Sequence, residues 1–219
     1  MIVFEPDFVT KTRTSYDTIA AEYAKQFEDE FQQHPLHRAL LTWFAGIVAD
    51  GPVLDVGCGP GRTTGFLHAL GVDVAGFDLS PGFLAIAREE NPDIQFTEGS
   101  MLALDQAPGS LAGLLANYSL IHLPDEVLPE VLAGFNRALR TGGYLWVAFQ
   151  VGDVPRHRTE AWGYDIDLLF RRRQPDRVAA LLSAAGFDVR VRVVREAVDD
   201  ELTPHAILVA RKRPESDLL

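Results

Sequence analysis

The chain has 219 residues, 47% of them hydrophobic and 23% charged, which gives enough apolar material for one substantial core and excludes a disordered chain. Its formal charge of -11 opposes a nucleic-acid backbone as partner. The single cysteine, Cys58, excludes an internal disulfide framework and a thiolate zinc cluster and predicts a reducing, cytoplasmic setting.

The start, "MIVFEPDFVTKTR", lacks the long apolar core of a secretory signal, and no apolar run approaches the roughly 20 residues of a membrane helix; a soluble chain without a membrane partner is expected. Residues 1–50 read as two helices, since Tyr16, Ile19, Ala20, Tyr23 and Phe27 recur at helical steps and Leu36, Leu40, Phe44 and Ile47 repeat the pattern after Pro35. Beyond Gly51-Pro52 short apolar runs alternate with amphipathic segments. "PVLDV" predicts a strand, Arg62 to Leu70 a helix, "VDVAGFD" a strand, and "PGFLAIAREE" a helix begun by Ser80 with Pro81 in its first turn. "DIQFTE" and "LAGLLANYS" predict two more strands, "DEVLPEVLAGFNRAL" a helix and "GYLWVAFQ" a fifth strand. This beat is that of a parallel sheet covered by helices on both faces.

The last third changes rhythm. "PDRVAALLSAAGF" predicts a helix closed by Gly186, and "DVRVRVVREA" and "HAILVARK" follow as two strands without a helix between them, an antiparallel hairpin. Residues 151–174 are too long for an ordinary connection and read as an insertion bearing substrate contacts, with Trp162 and Tyr164 as an aromatic wall or as anchors of the loop. Within it Arg171-Arg172-Arg173 reads as a solvated strand end or loop. The expected organisation is a single domain over 1–219: a helical lid over 1–50, a cofactor-binding core over 51–150, the insertion over 151–174, and a closing helix and hairpin over 175–219.

"VLDVGCGPGRTT", Val53 to Thr64, sets Gly57, Gly59 and Gly61 between a strand and a helix, at the sheet edge where open α/β folds bind ligands. The dinucleotide fingerprint needs a glycine where Arg62 stands, and a phosphate loop needs a lysine where none occurs between Lys25 and Lys212. Asp55 at the strand end would repel a pyrophosphate and welcome an ammonium group. Asp78, 21 residues after Gly57 at the end of the second strand, is placed to accept ribose hydroxyls. A nucleoside with a cationic amino-acid tail and no phosphate, S-adenosylmethionine, meets both demands.

At these residues the chain resembles the class I S-adenosylmethionine-dependent methyltransferases of small molecules, over about residues 16–212. The glycine motif appears as "LDVGCGPG" (Asp55, Gly57, Cys58, Gly59, Gly61) and the ribose acid in "GFDLSPGFL" (Asp78, Leu79). The resemblance implies a Rossmann-like, doubly wound seven-stranded sheet, mostly parallel, with a C-terminal antiparallel hairpin and N-terminal helices. It also implies adenine contacts at Ser100 and Met101, methionine contacts at Asn117, Tyr118 and Ser119, and lid contacts from Tyr16 and Tyr23. Ser100 departs from the acid usual at its position, which predicts altered adenine contacts. Cys58 itself reads as a small apolar filler.

Methyl transfer is an in-line displacement, and an acceptor bearing a proton gains from a general base of near-neutral pKa. His122, before Pro124 at the end of the fourth strand, is the first candidate, with a cap or packing role as the alternative. His157 in the insertion is the second. The expected product is S-adenosylhomocysteine, the partner a small-molecule acceptor, the assembly a monomer or homodimer, and no metal is expected. An S-adenosylmethionine-binding regulatory module, a non-methylating enzyme on the same fold and, less favoured, a nicotinamide oxidoreductase remain as alternatives.

Overall fold

A computed structural model describes residues 5–27, 34–199 and 201–214. Helices α1 (Asp7–Gln26) and α2 (Pro35–Val48) come first, followed by β1 (Val53–Val56), α3 (Arg62–Ala69), β2 (Val74–Asp78), α4 (Pro81–Glu90) and β3 (Phe96–Glu98). Then come β4 (Leu111–Asn117), α5 (Leu128–Ala138), β5 (Leu139–Gln150), β6 (Arg156–Ala161), β7 (Tyr164–Phe170), α6 (Pro175–Ala184), β8 (Phe187–Arg195) and β9 (His205–Lys212). Single 3-10 turns cover Met101–Ala103 and Leu120–His122.

Seven strands form one sheet in the order β3-β2-β1-β4-β5-β9-β8. The first five are parallel, and β9 runs antiparallel to both β5 and β8. Each strand alternates between two cores, as the two-residue period of a sheet covered on both faces requires. Val53, Leu115, Trp146, Ala148 and Ile207 face Leu41, Phe44 and Val48 of α2 and Leu67 of α3. Leu54, Val56, Leu114, Val147 and Phe149 face Leu132 and Phe135 of α5 and Leu182 of α6. Burying each such large side chain stabilises the fold by roughly 1.5–3 kcal/mol relative to exposure.

Three elements depart from expectation. Helix α1 begins at Asp7, behind Pro6, whose fixed backbone suits a helix entrance. Helix α5 ends at Ala138, and β5 starts at once, crossing Gly142-Gly143, where its pairing with β4 shifts register between Leu111 and Gly113; Gly142, at φ +77, absorbs the irregularity. The insertion contains a regular antiparallel hairpin, β6 with β7, joined by Trp162 and Gly163 at φ +52 and +83, a two-residue turn of the kind that suits hairpin twist.

That hairpin sits on α1, where Ile19 joins Ala161, Ile166 and Leu168 in a small separate core. On its other side α1 meets the entrance of α4: the Asp17 carboxylate accepts from Ser80 Oγ at 2.5 Å and from the Gly82 amide at 2.9 Å. No described helix is long and apolar enough to cross a membrane.

Candidate active site

Strand order reverses between β1 and β4, and the carboxyl ends of these strands open a crevice there. Gly57, at φ +77, turns the chain out of β1 so tightly that a Cβ would lie 2.2 Å from the Ser119 Cβ. Its amide donates to the Phe77 carbonyl at 2.7 Å, tying the turn to β2. A cavity of about 160 Å³ lies over the turn, walled by α1, the ends of β1, β2 and β4, and the entrance of α4.

Thirteen of the residues expected at the cofactor line this one cavity: Tyr16, Tyr23, Asp55, Gly57, Cys58, Gly59, Asp78, Leu79, Ser100, Met101, Asn117, Tyr118 and Ser119, and His122 joins them. Gly61 does not line it; at φ +84 it starts α3, with Ala87 and Phe96 so close that a Cβ would meet them at 2.9 and 3.1 Å. His157 also lies elsewhere, on the outer face of β6, half exposed and 2.6 Å from Asp167.

Two buried carboxylates dominate the electrostatics. Asp78 Oδ2 accepts from the Gly59 amide and Oδ1 from the Ser80 amide, both at 2.8 Å, so its orientation is fixed by the turn itself. Burial raises its pKa against those two amides, which favour the charged form. Asp55 is wholly buried; Oδ2 accepts from Thr64 Oγ1 at 2.8 Å, while Oδ1 has no hydrogen-bond partner in the structure. Burial pushes the Asp55 carboxyl up to about 7, the Thr64 hydroxyl opposing. Among the described residues neither acid forms a salt bridge.

The β4 end divides its work. Asn117 is held at both ends of its amide, accepting from Trp146 Nε1 at 3.1 Å and donating to Thr63 Oγ1 at 3.2 Å. Tyr118 takes a left-handed backbone, φ +56, uncommon for a bulky residue, with its hydroxyl 2.9 Å from His205 Nδ1. Ser119 Oγ donates to the Val56 carbonyl at 2.7 Å. Ser100 Oγ accepts from the Leu102 amide at 3.3 Å and caps the turn carrying Met101. Cys58 packs with Leu84, Ala87 and Phe96, and burial drives its thiol pKa well above the usual range.

His122 is buried with Tyr16 Oη 2.7 Å from Nε2 and the Leu169 carbonyl 3.2 Å from Nδ1. Burial lowers its pKa to about 4, and the guanidiniums of Arg171 and Arg173 act in the same direction. The imidazole is therefore neutral at pH 7. The arginine run is not a solvated loop: Arg173 is 4% exposed, pairs with Asp125 at 2.9 Å and donates to the Leu120 and Leu123 carbonyls, and Arg171 donates to the His122 carbonyl at 2.6 Å. These two side chains clamp the turn that presents His122.

Sequence reasoning missed Phe8, Val9, Thr12, Pro60, Arg62, Thr63, Phe83 and Leu123, which complete the lining. Phe8, Thr12, Tyr16 and Tyr23 lie at four- and seven-residue steps on one helix face, a signal that was present in the sequence. Phe83 packs 5.1 Å from both Tyr16 and Tyr23, so three rings form the wall. Arg62, at the position where a dinucleotide site has glycine, donates to the Ala24 and Phe27 carbonyls and ties α1 to the glycine turn.

Residues 53–143 match the family model of a methyltransferase domain. The chain is 36% identical over 143 residues to the trans-aconitate 2-methyltransferase of Paracidovorax citrulli, covering 62% of this chain and 52% of that protein. To the Methylobacterium nodulans protein of the same name it is 34% identical over 182 residues, covering 80% and 63%. The chain thus spans between half and two thirds of the length of these curated relatives. The solved structure of Burkholderia thailandensis 1,6-didemethyltoxoflavin-N1-methyltransferase, which holds 1,6-didemethyltoxoflavin and S-adenosylhomocysteine, shares the fold at a TM-score of 0.75 and 22% identity, covering 97% of this chain and 94% of that one. Sheet order, the turn at its switch point and a family model spanning that turn agree: residues 53–143 form a methyltransferase domain, on the fold of solved S-adenosylmethionine-dependent methyltransferases.

Proposed function

We propose that the protein transfers the methyl group of S-adenosylmethionine to a small organic acceptor. One observation carries the reading: two buried carboxylates, Asp55 and Asp78, share one cavity and neither has a salt-bridge partner among the described residues. Such a cavity favours a cationic ligand and repels a pyrophosphate, which argues against a nicotinamide cofactor. In this reading the ammonium of the amino-acid tail lies toward Asp55 Oδ1. The ribose hydroxyls donate to the lone pairs that the Gly59 and Ser80 amides leave on Asp78. Asn117 to Ser119 flank the methionine part, and Ser100 and Met101 flank adenine.

The chemistry asks the protein mainly for alignment, which can supply roughly 7–11 kcal/mol of the barrier. Tyr16, Tyr23 and Phe83 form an apolar wall that keeps water from the sulfonium, and the proton released by the acceptor goes to His122. Calorimetric titration with S-adenosylmethionine, S-adenosylhomocysteine and NADH tests the reading. Saturable binding of the first two is expected, weakened at least tenfold in Asp78→Ala; binding of NADH alone would overturn it.

A further inference from the structure

The Tyr16–His122 contact carries more than proximity, because its direction can be assigned. A carbonyl oxygen only accepts, so the Leu169 carbonyl at 3.2 Å fixes the imidazole hydrogen on Nδ1. In the neutral ring Nε2 then holds a lone pair, and the Tyr16 hydroxyl at 2.7 Å must be the donor. The phenol hydrogen is committed to His122. What Tyr16 Oη offers to the cavity it lines is lone pairs.

Resting on the methyl-transfer reading, we propose that Tyr16 is the catalytic residue that receives the acceptor, and that it selects a nucleophile bearing hydrogen, a hydroxyl or an amine N–H, over a carboxylate. A hydroxyl or amine donates to the Tyr16 oxygen and is thereby oriented with a lone pair free for attack. A carboxylate brings lone pairs against lone pairs, in a cavity already holding two acids. His122 acts through Tyr16.

The step balances. The bond from the acceptor atom to the methyl carbon forms while the bond from sulfur to that carbon breaks and its electron pair stays on sulfur. The acceptor's proton passes to Tyr16 Oη as the tyrosine's own proton passes to His122 Nε2, leaving an imidazolium held by the Leu169 carbonyl, which returns its proton to water after the products leave. The positive charge lost at the sulfonium reappears on the imidazole, so the charge within the cavity is unchanged. That conservation is what makes a buried, weakly basic histidine usable: it becomes charged only as the neighbouring cation is discharged.

Nitrogen-15 NMR of the full chain labelled at histidine, assigned with His122→Gln, tests the geometry. With S-adenosylhomocysteine present and absent, the expected His122 spectrum at pH 7 has a protonated Nδ1 and an unprotonated, hydrogen-bonded Nε2. In Tyr16→Phe the Nε2 resonance should move and Nδ1 should not; a proton on Nε2, or an Nε2 indifferent to the substitution, would overturn the proposal. Phenol and benzoate then serve as matched probes of the S-adenosylhomocysteine complex. Phenol should bind at least tenfold tighter, the preference falling to within threefold in Tyr16→Phe, and a preference for benzoate in the native chain would sink the selectivity. Failure of the cofactor itself to bind would count against the methyl-transfer reading instead, since the ligand-free spectrum decides the Tyr16–His122 geometry separately.

Discussion

At pH 6 the empty cavity holds Asp55 mostly protonated, because burial has pushed its carboxyl up to about 7. A cation beside Oδ1 stabilises the carboxylate, so binding of S-adenosylmethionine at pH 6 should expel about one proton. Affinity should rise with pH to about 7 and then level. Calorimetry in buffers of different ionisation enthalpy reads the released proton directly, and Asp55→Asn should abolish both the release and the slope; an enthalpy identical in every buffer would place the ligand's charge elsewhere. The same carboxyl acts on stability with a definite sign. Its folded pKa lies above the ordinary 3.8, so the native state holds the extra proton between about pH 4 and 7 and stability falls as pH rises across that window. Both acids were legible in the sequence as residues at the ends of β1 and β2, where the cavity lies. The burial that tunes Asp55 was not, since it depends on how the helices and strands pack around the end of β1, which spacing alone does not show.

Helix α1 is held as a separable element. Its own apolar core with the hairpin is small, Tyr16 and Tyr23 pack on Phe83, and polar bonds add to these: Asp17 to Ser80 and Gly82, Arg13 Nε to the Leu79 carbonyl, Arg62 to the last carbonyls, and Ser15 Oγ accepting from the Asp167 amide. Asp17→Ala removes two bonds to a charged group at once, a loss of about 2 kcal/mol. The expected outcome is hydrogen exchange roughly thirtyfold faster in residues 7–26, with β1, β4 and β5 unchanged, and weaker binding of S-adenosylhomocysteine. Unaltered exchange in α1 would assign its anchoring to the rings of Tyr16, Tyr23 and Phe83. The sequence signals for β1, β2, β4 and the second half of β5 were strong because each is buried along almost its whole length, as a sheet covered on both faces demands. Strands β6 and β7 were hidden for the opposite reason. "RHRTEA" buries one residue of six, so no apolar period marks it, and its turn is made by Trp162, not by the usual asparagine or aspartate ahead of Gly163.

Among the described residues, three histidines stay neutral in the folded chain, His37 and His122 buried and His205 part-buried. Burial lowers His37, His122 and His205 each to about 4, His37 lying stacked on Trp146 and His205 beside Tyr118 and Arg195. The unfolded chain protonates these side chains near pH 6.5, so from there down to about pH 4 it binds protons that the native state refuses, and stability falls with falling pH. Asp78 and Asp55 act in the opposite sense, but the three histidines, each pulled to about 4, together outweigh Asp55 at about 7. Urea titrations between pH 4.5 and 7.5 should therefore show a midpoint that rises with pH, more steeply in Asp55→Asn; a flat midpoint would show that these histidines are solvated. The fold class, the seven strands of the main sheet and the glycine turn at its switch point could be read from the sequence, because they follow from local apolar patterning and from the turn residues. The pairing of Tyr16 with His122 joins positions 106 residues apart, and the clamping of its turn by Arg171 and Arg173 depends on the path of the hairpin; neither leaves a local trace.

Cys58 gives this architecture a further use. It is the chain's one thiol and it lines the ligand cavity, 7% exposed, against Leu84, Ala87 and Phe96. Alkylating reagents reach it through that cavity, and its raised pKa keeps the reaction slow enough to time by hand. The unmodified protein thus carries its own gauge of occupancy, and a filled cavity should read as a thiol that stays unlabelled.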